Sequence, residues 1–286
     1  MKKGINAWCF PSDLSLEGIF ALAAECRFDA LELNMSEAGG DGGGLSGIEQ
    51  SESGGLTLGM SENGWAAIKS LSERYAIPIS SISTALHWRY PLTDPDGATR
   101  DKGMRIVEEM LDAAAYLGCD SILVVPGAVT EHVSYQCAYD RSLDAFKSLK
   151  KHAETKKVAI GVENVWNKFL LSPLEMAAFI DKIGSDYAGA YFDAGNVLQF
   201  SYPQHWVESL GRRIVKVHIK DFDSGIGNIT GFKPLLQGDM PWGKLMDALK
   251  SVGYDDYITA ELSPYPTNPT QLIRDTSAAM DYILSL

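Results

Sequence analysis

Four ionisable residues, each near the end of a short apolar run, indicate a metal centre in the second half of the chain. They are Glu163 in AIGVENVW (159–166), Asp193 in YFDAGN (191–196), His218 in VKVHIKD (215–221) and Glu261 in ITAELSP (258–264). Three carboxylates without a cation would repel one another and would be costly to bury. Carboxylate oxygens with one imidazole nitrogen suit Mn²⁺, Mg²⁺, Co²⁺ or Zn²⁺, and the carboxylate majority favours the harder ions. The residue types therefore predict one divalent metal ion, provided that the four runs are neighbours in the fold.

Eight β-prone segments alternate with eight segments of helical periodicity along the chain. The strands are predicted at 4–10, 30–35, 79–85, 121–126, 159–166, 188–193, 214–220 and 258–262. The helices are predicted at 14–26, 61–75, 98–117, 135–156, 174–183, 203–210, 242–252 and 269–286. Strict alternation implies parallel strands with right-handed crossovers, and eight units in 286 residues are the size of a (β/α)₈ TIM barrel. A doubly wound sheet is the rival fold, but the first strand is not followed by its glycine-rich phosphate turn. We therefore expect an α/β chain with one barrel domain over residues 1–286.

This barrel would bring the four residues together. The carboxyl ends of all barrel strands open on one face, and catalytic side chains come from several of these ends. Glu163, Asp193, His218 and Glu261 end strands five to eight. Taken singly, each residue could instead be a helix cap, a salt-bridge partner or a wall residue. Their occurrence on four consecutive strands favours one joint site.

A glycine-rich segment at residues 36–60 interrupts this regular pattern. It contains nine glycines, and such a run loses too much backbone entropy to fold unaided. A long loop within a barrel is either functional or disordered. The segment is therefore predicted to be a lid or a disordered insertion.

The motifs resemble the xylose-isomerase-like barrels, a group of sugar-phosphate isomerases and epimerases that includes a DNA-repair endonuclease branch. In that family a Glu, Asp, His, Glu quartet binds one divalent metal, which implies this role for the four residues above. DAGN (193–196) and HIKD (218–221) are most similar to pentulose-5-phosphate 3-epimerases, whereas ENVWNKFLLSPLEM (163–176) is similar to hexulose-6-phosphate isomerases. Non-phosphorylated ketose 3-epimerases usually carry His in place of Asn196 and Glu in place of Phe169. These departures disfavour a free ketohexose as the substrate, and the exact sugar stays open.

The resemblance implies a metal-dependent isomerase that removes a proton next to a ketone. In 3-epimerisation of a pentulose 5-phosphate, Glu163 and Glu261 would act as acid and base on opposite faces of C3, through an enediolate. Aldose–ketose isomerisation would use the same groups to move the proton between C1 and C2. Elimination from a cyclic polyol, as in a dehydratase, is a third use of the same scaffold. The sequence does not separate these outcomes.

Further residues are candidates for contacts with a sugar or sugar phosphate. Lys220 is a phosphate candidate on the face of His218, with an ion pair to a neighbouring carboxylate as the alternative. Lys168 and Lys233 are phosphate candidates from loops. The remaining candidates, each with a turn or packing role as its alternative, are Asn164, Asn167, Asn196, His87, Trp8 and Trp88.

Composition limits the other partners and the compartment. A net charge of −12 and five histidines disfavour nucleic-acid binding, including that of an AP-endonuclease-like repair protein. No apolar run approaches the roughly 20 residues that cross a bilayer, and the N-terminus makes a poor signal peptide. We therefore expect a cytoplasmic protein without membrane partners. Dimers and tetramers are common among the proteins it resembles, whereas the sequence does not indicate its oligomeric state.

Overall fold

The strands and helices alternate along the chain as the sequence predicts. The computed structural model describes residues 1–38 and 55–286. The strands in this part of the chain are β1 (Lys2–Asn6), β2 (Ala30–Ser36), β3 (Leu56–Thr57), β4 (Ile79–Ser83), β5 (Ser121–Val124), β6 (Ala159–Glu163), β7 (Ala188–Asp193), β8 (Ile214–Ile219), β9 (Asp221–Phe222), β10 (Phe232–Lys233) and β11 (Tyr257–Ala260). The helices are α1 (Leu16–Glu25), α2 (Glu62–Tyr75), α3 (Leu86–Arg89), α4 (Gly97–Leu117), α5 (Tyr135–Lys156), α6 (Pro173–Ile183), α7 (Ala194–Val197), α8 (Pro203–Leu210), α9 (Trp242–Ser251) and α10 (Pro269–Ser285).

Eight of these strands close into a parallel barrel. Their order around the barrel is β1, β11, β8, β7, β6, β5, β4 and β2, and β2 pairs with β1 to complete the circle. Gly4 is aligned with Thr259 of β11 on one side and with Ala30 of β2 on the other. The strand β1 therefore pairs with both the last and the second barrel strand and closes the barrel. The predicted (β/α)₈ barrel is confirmed. The pair β9–β10 forms a separate antiparallel hairpin beyond the end of β8.

Local sequence signals account for several helix ends. Ser172 caps α6 by accepting a hydrogen bond from the Glu175 amide, and Pro173 takes the first helical position. Gly118 ends α4 in the left-handed conformation, with a φ of 85°. These helices therefore begin and end where their capping residues predict.

The first strand is shorter than predicted. It ends at Asn6, and a single 3₁₀ turn, Ala7–Cys9, follows it. The Asn6 side chain accepts a hydrogen bond from the Trp8 amide at 2.9 Å. This local bond competes with the strand ladder and turns the chain, which places Trp8 at the mouth of the barrel.

The glycine-rich segment is described only at its two ends. Residues 39–54 lie outside the described part of the chain, so the alternatives of a lid and an insertion stay a prediction. At its C-terminal end, β3 pairs in parallel with the end of β2, where Met35 is aligned with Leu56.

Polar side chains fill much of the barrel axis. The alternation of side chains along β8 directs Lys216 and His218 inward, and Lys220, the residue directly after the strand, continues this row at the next level. Lys216 is 1% exposed and pairs with Asp120 at 2.7 Å and with Asp256, near the amino ends of the strands. His218 and Lys220 lie progressively closer to the carboxyl ends, where the candidate site is found. Within the described residues, no helix is both long and apolar enough to cross a membrane.

Candidate active site

The four predicted metal ligands converge at the carboxyl end of the barrel. Glu163 and Asp193 are the last residues of β6 and β7, His218 lies in β8, and Glu261 directly follows β11. One ligand atom from each residue lies within 4.8 Å of the others. Glu163, Asp193 and His218 are buried, whereas Glu261 is half-buried. The barrel thus brings together residues that are up to 98 positions apart in the sequence (261 − 163).

The donor set fits a divalent cation. The Nδ1 atom of His218 is buried, has no hydrogen-bond partner among the described residues, and lies 3.7 Å from Glu261 Oε2. A buried nitrogen without a partner is costly unless a donor or a cation faces it. Three carboxylates beside it supply the oxygen ligands that Mg²⁺ and Mn²⁺ prefer.

Lys220 supplies a positive charge beside this quartet. Its ammonium nitrogen lies 2.7 Å from Asp193 Oδ2 and also forms an ion pair with Glu261. Although burial opposes the charged form, Asp193, Glu261 and Glu163 raise the pKa of Lys220 above its usual range. The lysine therefore stays an ammonium that is engaged with two carboxylates, as in the ion-pair alternative.

The two glutamates differ in proton affinity. Burial, together with the charges of Glu261 and Asp193, raises the pKa of Glu163 well above its usual range. Burial acts in the same direction on Glu261, but Lys220 and His218 outweigh it and lower the pKa of Glu261 to about 2. When two neighbouring carboxyl groups differ in proton affinity, one can hold a proton while the other accepts one.

Asparagines fix the backbone around Asp193. The Asn164 Nδ2 donates to the Asp193 carbonyl at 2.7 Å, and the Asp193 amide donates back to Asn164 Oδ1 at 2.9 Å. The Asn196 amide donates to Asp193 Oδ1 at 2.9 Å, while its side-chain Nδ2 donates to the Asn164 carbonyl at 3.0 Å. Gly195 permits this turn because a Cβ there would lie 2.8 Å from the Lys220 carbonyl oxygen. Asn164 and Asn196 therefore hold the ends of β6 and β7 together.

A cavity of about 370 Å³ opens above the quartet. Its polar side contains Glu163, Glu261, Lys220 and Asn196. Its apolar wall includes Trp8, Trp88, Val165, Trp166, Ile229 and Phe232. Trp8 and Trp88, both predicted contact residues, therefore face the cavity. A polar floor under an aromatic wall is the arrangement that small-molecule sites commonly have.

The remaining predicted contact residues lie outside the cavity lining: His87, Asn164, Asn167 and Lys168. His87 is 1% exposed, and burial lowers its pKa to about 4, so it is a neutral core residue. Asn167 donates from Nδ2 to the Gly127 carbonyl at 2.7 Å and accepts from the Phe169 amide, which is the turn role given as its alternative. Of these four, Asn164 and Asn167 donate their side-chain amides to backbone carbonyls of the loops.

Two features of the site were missed from the sequence. Glu32 of β2 is fully buried and lies 2.7 Å from His218 Nε2. Its signal was a lone carboxylate within an apolar strand, ALELNM. The second is the β9–β10 hairpin, whose Phe232 lines the cavity and packs against Trp166, the residue that donates from Nε1 to the Asn196 carbonyl at 2.8 Å. No periodicity in the sequence marks that hairpin.

Comparison with known proteins agrees with the barrel fold. Residues 20–283 match the family model described as xylose isomerase-like TIM barrel. The chain is 24% identical to a putative L-ribulose-5-phosphate 3-epimerase of Escherichia coli K12, over 84% of this chain and 79% of that protein. It is also 24% identical to an L-ribulose-5-phosphate 3-epimerase of Salmonella heidelberg, over 92% of this chain and 86% of that protein.

The fold also resembles a solved structure of D-psicose 3-epimerase with D-tagatose from Clostridium cellulolyticum H10. The TM-score is 0.77 at 16% identity, and 99% of each chain is covered. At this sequence identity, the structural similarity shows the fold alone. The two relatives by sequence given above are named as epimerases, the first as a putative one, and the prediction of an enzyme of the isomerase class is confirmed. With a model match over most of its length, the chain belongs to the xylose isomerase-like TIM barrel family.

Proposed function

We propose that the protein is a divalent-metal-dependent 3-epimerase of a ketose phosphate, with a pentulose 5-phosphate as the substrate. The observation that carries this proposal is the placement of Glu163 and Glu261 at the cavity floor, together with Asp193 and His218, with ligand atoms within 4.8 Å of one another. Two carboxylates beside one candidate metal site are the groups that proton exchange at a carbon next to a ketone requires.

Asp193, His218, Glu163 and Glu261 would hold the metal. When bound, a divalent cation supplies Lewis acidity toward the ketone and the neighbouring hydroxyl group of the sugar. Glu163 and Glu261 face the cavity from different strands, so one removes the C3 proton and the other returns a proton to the opposite face. Lys220 keeps its positive charge beside Glu261, which favours the ionised form of that carboxylate.

A second positive charge supports a phosphorylated substrate. Lys233 of the β9–β10 hairpin lines the cavity, and its ammonium has no hydrogen bond or ion pair with another described residue. Lys233 follows the seventh barrel strand and Ser263 follows the eighth, and both line the cavity. The loops after these two strands often bind phosphate in TIM barrels. We therefore assign the phosphate to Lys233 rather than to Lys220, whose charge is already paired.

The packing of Phe169 also favours a phosphorylated sugar. Its ring lies in the core, 1% exposed, with its centroid 5.5 Å from the Tyr135 ring and 6.0 Å from the Phe179 ring. Non-phosphorylated ketose 3-epimerases are expected to carry a glutamate here, and this apolar cluster has no place for one. The named relatives by sequence are ribulose-phosphate epimerases, which supports the same conclusion.

The test is to incubate the protein and Mn²⁺ with L-ribulose 5-phosphate and, separately, with free L-ribulose, and to separate the products. We expect the 3-epimer to form, with a higher kcat/KM for the phosphate ester. An aldose as the product would replace the proposal by aldose–ketose isomerisation. Faster turnover of the free sugar would reject the phosphorylated substrate.

A further inference from the structure

We infer that Glu32 is a positioning residue for the metal centre: it holds the His218 imidazole as the Nε2–H tautomer, with Nδ1 directed at the three carboxylates. This inference rests on the proposed metal site. Glu32 belongs to β2 and His218 to β8, 186 residues apart, and both are fully buried. Their contact joins Glu32 Oε1 to His218 Nε2 at 2.7 Å.

The surroundings of Glu32 require that His218 donates in this contact. The Asn6 Nδ2 donates to Glu32 Oε1, and the hydroxyl groups of Ser81 and Tyr191 donate to Oε2. With His218, four donors surround two oxygens, which is the full accepting capacity of an ionised carboxylate. An ionised carboxylate has no proton to give, so the shared proton lies on His218 Nε2.

The opposite nitrogen is thereby left as the ligand atom. In a neutral imidazole with Nε2 protonated, Nδ1 carries a lone pair. That atom is buried, has no hydrogen-bond partner among the described residues, and lies 3.7 Å from Glu261 Oε2. The Tyr191 ring also packs edge-on to the imidazole, with centroids 4.6 Å apart. The ring is therefore held on both sides while one nitrogen faces the quartet.

Glu32 could instead have a purely structural role, as half of a buried ion pair with the same 2.7 Å contact. The positioning role and the structural role differ in their effect on metal binding. Loss of a carboxylate that orients a ligating histidine typically costs about 10–100-fold in metal affinity. Loss of a structural pair would lower the stability and leave the affinity of the folded protein unchanged. Metal affinity therefore separates the two roles.

The first experiment measures the Kd of the metal-free protein for Mn²⁺ by calorimetry, for wild type and Glu32→Gln. We expect a Kd about 10–100-fold higher in the variant. Lys3→Met is the matched control, because it removes a buried charge that pairs with Ser277 and Asp281, away from the quartet. It should lower the thermal midpoint without changing the Kd. Equal affinities of wild type and Glu32→Gln would reject the role of Glu32.

The second experiment needs no variant and so does not depend on the folding of Glu32→Gln. ¹⁵N NMR of the wild type loaded with Zn²⁺ reports which nitrogen of His218 carries the proton. We expect protonated Nε2 and metal-bound Nδ1, and the reverse assignment would overturn the inference. If the wild type binds neither Mn²⁺ nor Zn²⁺, the proposed metal site itself is wrong. This outcome differs from equal Mn²⁺ affinities of wild type and Glu32→Gln, which would reject only the role of Glu32.

Discussion

The ammonium of Lys220 lies 2.7 Å from Asp193 Oδ2, between two candidate metal ligands. Lys220→Met would leave the buried carboxylates without this compensating charge. Breaking a buried pair by removing one partner typically costs about 3–5 kcal/mol. We expect a loss of this size in the free energy of unfolding, measured with urea in the presence of a chelator.

Added Mn²⁺ should recover more stability in Lys220→Met than in the wild type, because a cation replaces the missing charge. Lys147→Met, which changes an exposed lysine of α5, is the control and should stay within about 0.5 kcal/mol of the wild type. A Lys220→Met protein that is as stable as the wild type in chelator would contradict the role of this charge.

Glu163→Gln and Glu261→Gln should each abolish most of the epimerisation. A positioned general acid or base typically contributes about 10²–10⁴-fold, and an amide can do neither task. We expect kcat to fall by at least about 10²-fold in each variant, measured at a Mn²⁺ concentration that saturates that variant. At saturating Mn²⁺, a lower kcat reports the loss of proton transfer rather than weaker metal binding.

Glu208→Gln serves as the control for both glutamate variants, since Glu208 is an exposed carboxylate of α8. It should turn over at the wild-type rate. Full activity of either cavity variant under saturating metal would mean that the two-carboxylate mechanism is wrong.

Lys233→Met should change substrate preference rather than the chemical step. A hydrogen bond to a charged group contributes about 1.5–3 kcal/mol, which corresponds to roughly 10–100-fold in kcat/KM. We expect this loss for L-ribulose 5-phosphate, mainly through KM, and no change for free L-ribulose. Steady-state kinetics with both sugars measure the difference.

Lys168→Met is the comparison for Lys233→Met, because Lys168 lies outside the cavity lining. It should leave both sugars unaffected. Equal losses on the two sugars in Lys233→Met, or a loss only in Lys168→Met, would place the phosphate elsewhere.

Much of the fold and the quartet was predictable because both depend on local patterns. Alternating apolar runs and helical periodicity define the units of the barrel, and Glu163 and Asp193 end their strands. Once the strands are counted, the closure of the barrel forces their carboxyl ends together. No long-range information beyond the strand order is needed for this step.

The partners within the site depend on contacts that the local sequence does not specify. Glu32 contacts His218 across the barrel axis, and only the strand register of the closed sheet determines that contact. The strand face of Lys220 allows either a phosphate contact or an ion pair with a neighbouring carboxylate, and only the structure supplies its distance from Asp193. The β9–β10 hairpin that carries Lys233 consists of two-residue strands, too short for a periodic signal.

The most direct measurement follows solvent deuterium into the substrate. The protein, loaded with Mn²⁺, reacts with L-ribulose 5-phosphate in D₂O, and the metal-free products are examined by ¹H NMR. Removal of the C3 proton by one glutamate and delivery of a solvent-derived deuteron by the other predict deuterium at C3 of the product, and at C3 of the substrate once the reverse reaction has reached equilibrium. Deuterium only at C1 or C2, or a 3-epimer without deuterium at C3, would contradict proton transfer at C3.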